Sequence, residues 1–114
     1  MRTIDSIQLT DNEREALKDI QRRVKKLFRV ESIVVFGSVV RGEKDKESDI
    51  DLLILTSEKI ERLVSHQITD IVFEINLHYD TNYSVVVLDK KTWDEGVYSV
   101  LPIKKDIQRE GVLL

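Results

Sequence analysis

The sequence predicts an α+β protein, a small mixed β-sheet with helices packed on it. Three observations predict it: apolar residues recur at helical spacing in two long stretches, short β-branched runs stand beside them, and polar glycine-containing segments separate the parts. At 114 residues with 41% hydrophobic content the chain is sized for one core, so residues 1–114 read as a single domain.

Thr10 followed three residues later by Glu13 is a capping-box pattern, and Leu17, Ile20, Val24, Leu27 and Phe28 then recur at helical spacing. A first helix from about Asp11 to Arg29 is expected. Ser32-Ile33-Val34-Val35-Phe36 is a β-branched and aromatic run that stops at Gly37, which reads as a buried strand. From Val39 to Ser48 the chain turns polar and charged around Gly42, an exposed loop. Asp49-Ile50-Asp51-Leu52-Leu53-Ile54-Leu55 returns to a near-continuous apolar run, the mark of a strand covered on both faces. Thr56 or Ser57 is expected to cap a long helix whose Ile60, Leu63, Val64, Ile68, Ile71, Val72 and Ile75 form one apolar stripe reaching about Leu77.

Tyr83 to Leu88 supplies a third strand, which the helical crossover allows to run parallel to the second. Trp93 falls in a short turn or helix, Pro102 opens a last helix through about Glu110, and Gly111 ends it. Val112-Leu113-Leu114 reads as an edge strand or an interface; an unpaired apolar edge invites a partner, so a homo-oligomer is among the expectations.

Composition removes several functions. With no cysteine there is neither a disulfide framework nor a thiolate metal site, which fits a reducing compartment. No apolar run approaches the ~20 residues of a bilayer span, and the opening Met-Arg-Thr-Ile-Asp-Ser lacks the apolar centre of a secretory signal. A cytoplasmic protein without a membrane partner is expected. The formal charge of -3 argues against a protein that coats nucleic acid, and Arg22, Arg23, Lys25, Lys26 and Arg29 read as the solvated face of the first helix. His66 and His78 lack metal-ligand spacing, and Trp93 and Tyr98 read as cover for the core edge. Neither a nucleophile elbow around Ser38 nor a P-loop at Gly37 is present.

The chemistry gathers elsewhere. Residues two apart on a strand project from one face, so Asp49 and Asp51 point together while Ile50 and Leu52 turn into the core. Two carboxylates aimed at one point repel, and a divalent cation with hard oxygen ligands is the natural way to neutralise them. Magnesium is usually held by one or two carboxylates plus substrate phosphates, which matches a site this sparse. Phosphates need a cradle, and Gly37, directly after a strand, permits close backbone approach while the Ser38 hydroxyl and neighbouring amides can hydrogen-bond phosphate oxygens.

The combination is more specific than its parts: an apolar strand running into Gly37-Ser38, nine polar-rich residues, then Ser48-Asp49-Ile50-Asp51 opening a second buried strand. This segment resembles the G-S-x-D-x-D hallmark of the DNA-polymerase-β-like nucleotidyltransferase superfamily, and Phe36 to Glu43 with Ser48 to Ile54 is similar to its small, stand-alone members, the minimal nucleotidyltransferases of MntA-like antitoxin type. The resemblance covers roughly Ile33 to Leu55 and implies the nucleotidyltransferase fold. It implies that Gly37 and Ser38 bind the triphosphate of ATP or another nucleoside triphosphate and that Asp49 and Asp51 are catalytic and hold Mg2+. It further implies transfer of a nucleoside monophosphate to a hydroxyl acceptor, with release of pyrophosphate. Arg41 is placed either to assist with a phosphate or to face solvent. Ser48 is expected to hydrogen-bond the loop backbone.

One departure stands out. Active members bring a third carboxylate from a later strand, and Tyr83-Ser84-Val85-Val86-Val87-Leu88 contains no acid; Glu74, Asp80 and Asp89 are the nearby alternatives. Two functions follow from the resemblance. One is a magnesium-dependent nucleotidyltransferase that modifies an acceptor, a protein included, as the antitoxin of a toxin–antitoxin pair. The other is a catalytically weak nucleotide-binding module that acts by binding a HEPN-type helical ribonuclease.

Overall fold

The computed structural model describes residues 2–43, 45 and 48–114; Lys44, Lys46 and Glu47 of the charged loop lie outside the described residues. Among the described residues five strands form one sheet: β1 (Arg2–Thr3), β2 (Val30–Phe36), β3 (Ile50–Thr56), β4 (Tyr83–Asp89) and β5 (Val112–Leu113), in the spatial order β1-β5-β2-β3-β4. Among the same residues the α-helices that accompany it are α1 (Asp11–Leu27), α2 (Arg62–Tyr79), α3 (Lys90–Glu95) and α4 (Pro102–Glu110). The sheet is mixed, because β2 runs antiparallel to β3 and β5 while β3 and β4 are parallel.

Alternation along the strands sorts the side chains into two cores. Ile33, Val35, Ile50, Leu52, Ile54 and Val112 face α1 and α2, which contribute Ala16, Ile20, Val24, Ile68, Val72 and Ile75. On the other face Val34, Leu53 and Leu55 pack with Trp93 of α3 and Ile107 of α4. β3 is therefore buried on both sides, as its unbroken apolar run requires. The capping box forms as expected: the Glu13 amide donates to the Thr10 hydroxyl at 3.1 Å, and the Thr10 amide donates to the Glu13 carboxylate at 2.8 Å.

Four expectations are corrected. Val39 and Val40 are buried in a 3-10 turn, Ser38–Arg41, rather than exposed, because the apolar pair folds back onto the α1/α2 core. Neither Thr56 nor Ser57 caps α2: Thr56 ends β3 and its hydroxyl donates to the Glu58 carbonyl at 2.8 Å, leaving Glu61 at the N-cap without a side-chain bond. The α2 stripe is narrower than its composition, since Leu63 and Leu77 are 68% and 71% exposed. The chain's last apolar residues form no edge, because β5 lies between β1 and β2, with Val112 fully buried.

Candidate functional site

β2 delivers the first half of the site. At its end Gly37 takes φ 86° and ψ -156°, a region essentially reserved for glycine, and this swings the chain into the Ser38–Arg41 turn. Gly42 follows at φ 72°, its amide donating to the Ser38 and Val39 carbonyls, and the Glu43 amide donates to the Ser38 carbonyl at 3.0 Å. The Ser38 and Val39 carbonyls are thereby bonded within the turn. With Val39 and Val40 as apolar anchors, Ser38 is held at the mouth of the sheet.

β3 delivers the second half. Asp51 stands in register between Phe36 of β2 and Ser84 of β4, half-buried on the face that carries Leu53, while the exposed Asp49 lies just before the strand. A β-carbon built on Gly37 would run into the Asp51 carboxylate, so the glycine leaves the space that this side chain fills. Burial, and after it the charge of Asp49, pushes the Asp51 carboxyl up from its ordinary value, with Arg41 opposing. This donor set suits a hard divalent cation: two carboxylates lie near enough for the charge of Asp49 to raise the Asp51 carboxyl, which is uncomfortable as a bare anion, and a cation there would reverse that electrostatic penalty.

Arg41 is exposed and tied by two carboxylates, its Nε donating to Glu43 at 3.1 Å and its Nη1 to Glu110 of α4 at 3.0 Å. It stands close enough to Asp51 to favour that carboxylate's charge. Ser48 bonds the loop backbone as expected, its hydroxyl oxygen accepting from the Asp45 amide at 3.3 Å, and its own amide and hydroxyl both donate to Asp45 Oδ1 at 2.9 Å.

The third carboxylate is a different matter. The β4 residue in register with Asp51 is Ser84, and none of Glu74, Asp80 and Asp89 pairs in register with Asp49 or Asp51. Glu74 on α2 accepts from Arg23 of α1 at 3.2 Å; Asp80 is the left-handed C-cap of α2. Asp89 pairs with Thr56 at the far end of β3, where its carboxylate caps α3 by accepting from the Thr92 amide at 2.7 Å. Among the described residues no group of three His, Cys, Asp or Glu side chains is arranged to hold a metal ion. Sequence reasoning also missed Asn82, whose Nδ2 donates to Asp49 Oδ1 at 2.5 Å. Only the β3–β4 register, invisible in motif spacing, could have found it.

The remaining singled-out residues take structural places. Arg22 pairs with Asp19, Arg23 with Glu74 and Arg29 with Glu58. His66 and His78 are exposed, and Trp93 is buried beneath Tyr98, ring centroids 6.4 Å apart.

A glycine-ended strand, a tight turn and a D-x-D strand thus meet at one end of the sheet. The chain belongs to the nucleotidyltransferase domain family, whose model matches residues 17–114. A Methanocaldococcus jannaschii protein named as a candidate protein adenylyltransferase is 34% identical over 78 residues, which are 67% of this chain and 79% of that protein. Among solved structures, a toxin–antitoxin complex with AMP-PNP matches with a TM-score of 0.59 at 14% identity, over 91% of this chain and 72% of that one. The tri-AMPylated Shewanella oneidensis HEPN toxin in complex with its MNT antitoxin matches with a TM-score of 0.50 at 14% identity, over 90% of this chain and 67% of that one. At such identities the structural likeness is one of fold.

Proposed function

We propose that the chain binds a magnesium-bound nucleoside triphosphate, ATP foremost, and transfers its nucleoside monophosphate to a hydroxyl on a protein partner, the bond between the α- and β-phosphates breaking to release pyrophosphate. The observation that carries this reading is the meeting of Gly37 with Asp51, which brings the phosphate-cradling turn and the carboxylate pair to one point. Ser38 and the backbone beside it hold phosphate oxygens, Asp49 and Asp51 orient the cation, and Arg41 exchanges Glu43 or Glu110 for a phosphate. Magnesium bound there would lower the pKa of the attacking hydroxyl and offset charge on the leaving oxygen. The names of the relatives support adenylyl transfer to a protein and, among proteins of this fold, a HEPN-type partner.

Ser84 favours a second reading. With a hydroxyl where the third carboxylate is expected, the chain holds nucleotide but turns over slowly, and acts chiefly by binding a HEPN-type helical ribonuclease. Incubation with labelled ATP, magnesium and a HEPN-type helical ribonuclease separates the two. Label on the ribonuclease supports the transferase, and a stable unlabelled complex supports the binding module. Neither label nor complex would overturn both.

A further inference from the structure

We infer that Asn82 is a positioning residue that fixes the Asp49 carboxylate for the metal-bound nucleotide, an inference that rests on the proposed reading of the site. Asp49 lies outside the β3 ladder and is exposed, so no packing sets its rotamer. Asn82 grips the chain on both sides of the peptide that joins Asp49 to Ile50. Its carbonyl accepts the Ile50 amide at 2.9 Å, and its side-chain amide donates to Asp49 Oδ1 at 2.5 Å. The carboxylate is thus aimed from the residue that precedes β4.

Asn82 is itself held by a preorganised turn. Asn76, on the last turns of α2, accepts the Tyr83 amide at 2.9 Å and the Thr81 hydroxyl at 3.0 Å through its Oδ1, and donates to the Tyr83 carbonyl at 2.9 Å through its Nδ2. The Thr81 amide donates to the Asn76 carbonyl at 3.1 Å. These bonds bracket Asn82 on both sides, so its side chain has a fixed base from which to reach Asp49.

The chemistry suits the task. A neutral amide donor occupies Oδ1 without cancelling the negative charge, whereas a lysine or arginine there would compete with the cation. Oδ2 remains to face the metal together with Asp51. Hydrogen bonds to ligating carboxylates typically sustain metal affinity by 10- to 100-fold, and the exposure of this one places the expected effect near the lower end.

The test is binding of Mn2+ in the presence of a non-hydrolysable ATP analogue, followed by the electron paramagnetic resonance of free Mn2+, which needs no turnover. Asn82→Leu removes the donor at nearly constant size and leaves the Ile50 amide bond, which uses only the backbone. It should weaken Mn2+ binding by about tenfold at unchanged melting temperature, and Asn82→Gln, which retains an amide, should recover most of the loss. Equal Mn2+ affinity in wild type and Asn82→Leu overturns the role of Asn82 alone. Equal losses in the Leu and Gln variants overturn it too, because the donor would then not be what matters. No Mn2+-dependent nucleotide binding by the wild type overturns this inference together with the proposed function.

Discussion

The carboxylate of Asp51 fills the space in which a β-carbon on Gly37 would stand. Gly37→Ala therefore acts twice, forcing an alanine to φ 86° and displacing Asp51. The backbone conformation alone costs about 1–3 kcal/mol. Because the second cost needs the Asp51 carboxylate, Gly37→Ala should be cheaper in an Asp51→Ala background, with a coupling of about 0.5–3 kcal/mol by urea denaturation. Additive single effects would mean that the two residues do not constrain each other.

Asp51→Asn should raise the melting temperature while abolishing metal-dependent nucleotide binding. The folded carboxyl has a raised pKa, so the fold disfavours its ionised form. Stability is then greatest while Asp51 is protonated and falls as pH rises from the unfolded pKa through the folded one. Asparagine copies the neutral state, so its advantage should be present at neutral pH and vanish on acidification below the ordinary value of 3.8. Magnesium with nucleotide should narrow the gap by stabilising the wild type alone, which calorimetric melting at two pH values would reveal.

Ser84→Asp should increase label transfer to a protein acceptor by at least about tenfold, the scale of 1.4 kcal/mol in a barrier. The position is exposed and in register with Asp51, so the new carboxylate meets no burial penalty. Val86→Asp, in register with Leu53 instead, is the control and should gain little. A gain in the control equal to that of Ser84→Asp would refute the register argument.

Asp89→Ala should cost about 1 kcal/mol as a lost helix cap and leave nucleotide binding untouched. The bond from the Thr92 amide, above other causes, holds the Asp89 carboxyl below the usual range. Its stabilisation is thus complete above the ordinary pKa of 3.8 and disappears as pH falls through the lowered one. A loss of nucleotide affinity in this variant would return Asp89 to the site.

What was legible in the sequence follows from the range of the interactions. The capping box of α1, the stop at Gly37, the double burial of β3 and the Pro102 start of α4 are written in residues near one another, and each was read from them. The Gly37-Ser38 and Asp49-x-Asp51 pairs were legible as a motif, yet their meeting depends on the β2–β3 register. Asn82, the insertion of β5 and the burial of Val39 and Val40 depend on partners far along the chain. No local pattern announces those contacts. The two-residue β1 is too short to carry any periodicity at all.

The placement of β5 between β1 and β2 also orders events in time. β2, β3, α2 and β4 can pair and pack from near neighbours, whereas Arg2 meets Val112 only after the chain has closed its longest loop. Contacts of such sequence separation form late, because the entropy of closure must be overcome before they stabilise anything. β1, joined to the sheet through β5, should dock last and open first. In native-state hydrogen exchange, the amides bonded between β1 and β5 should lose protection through local opening, well before those of β3, which exchange only when the whole sheet comes apart.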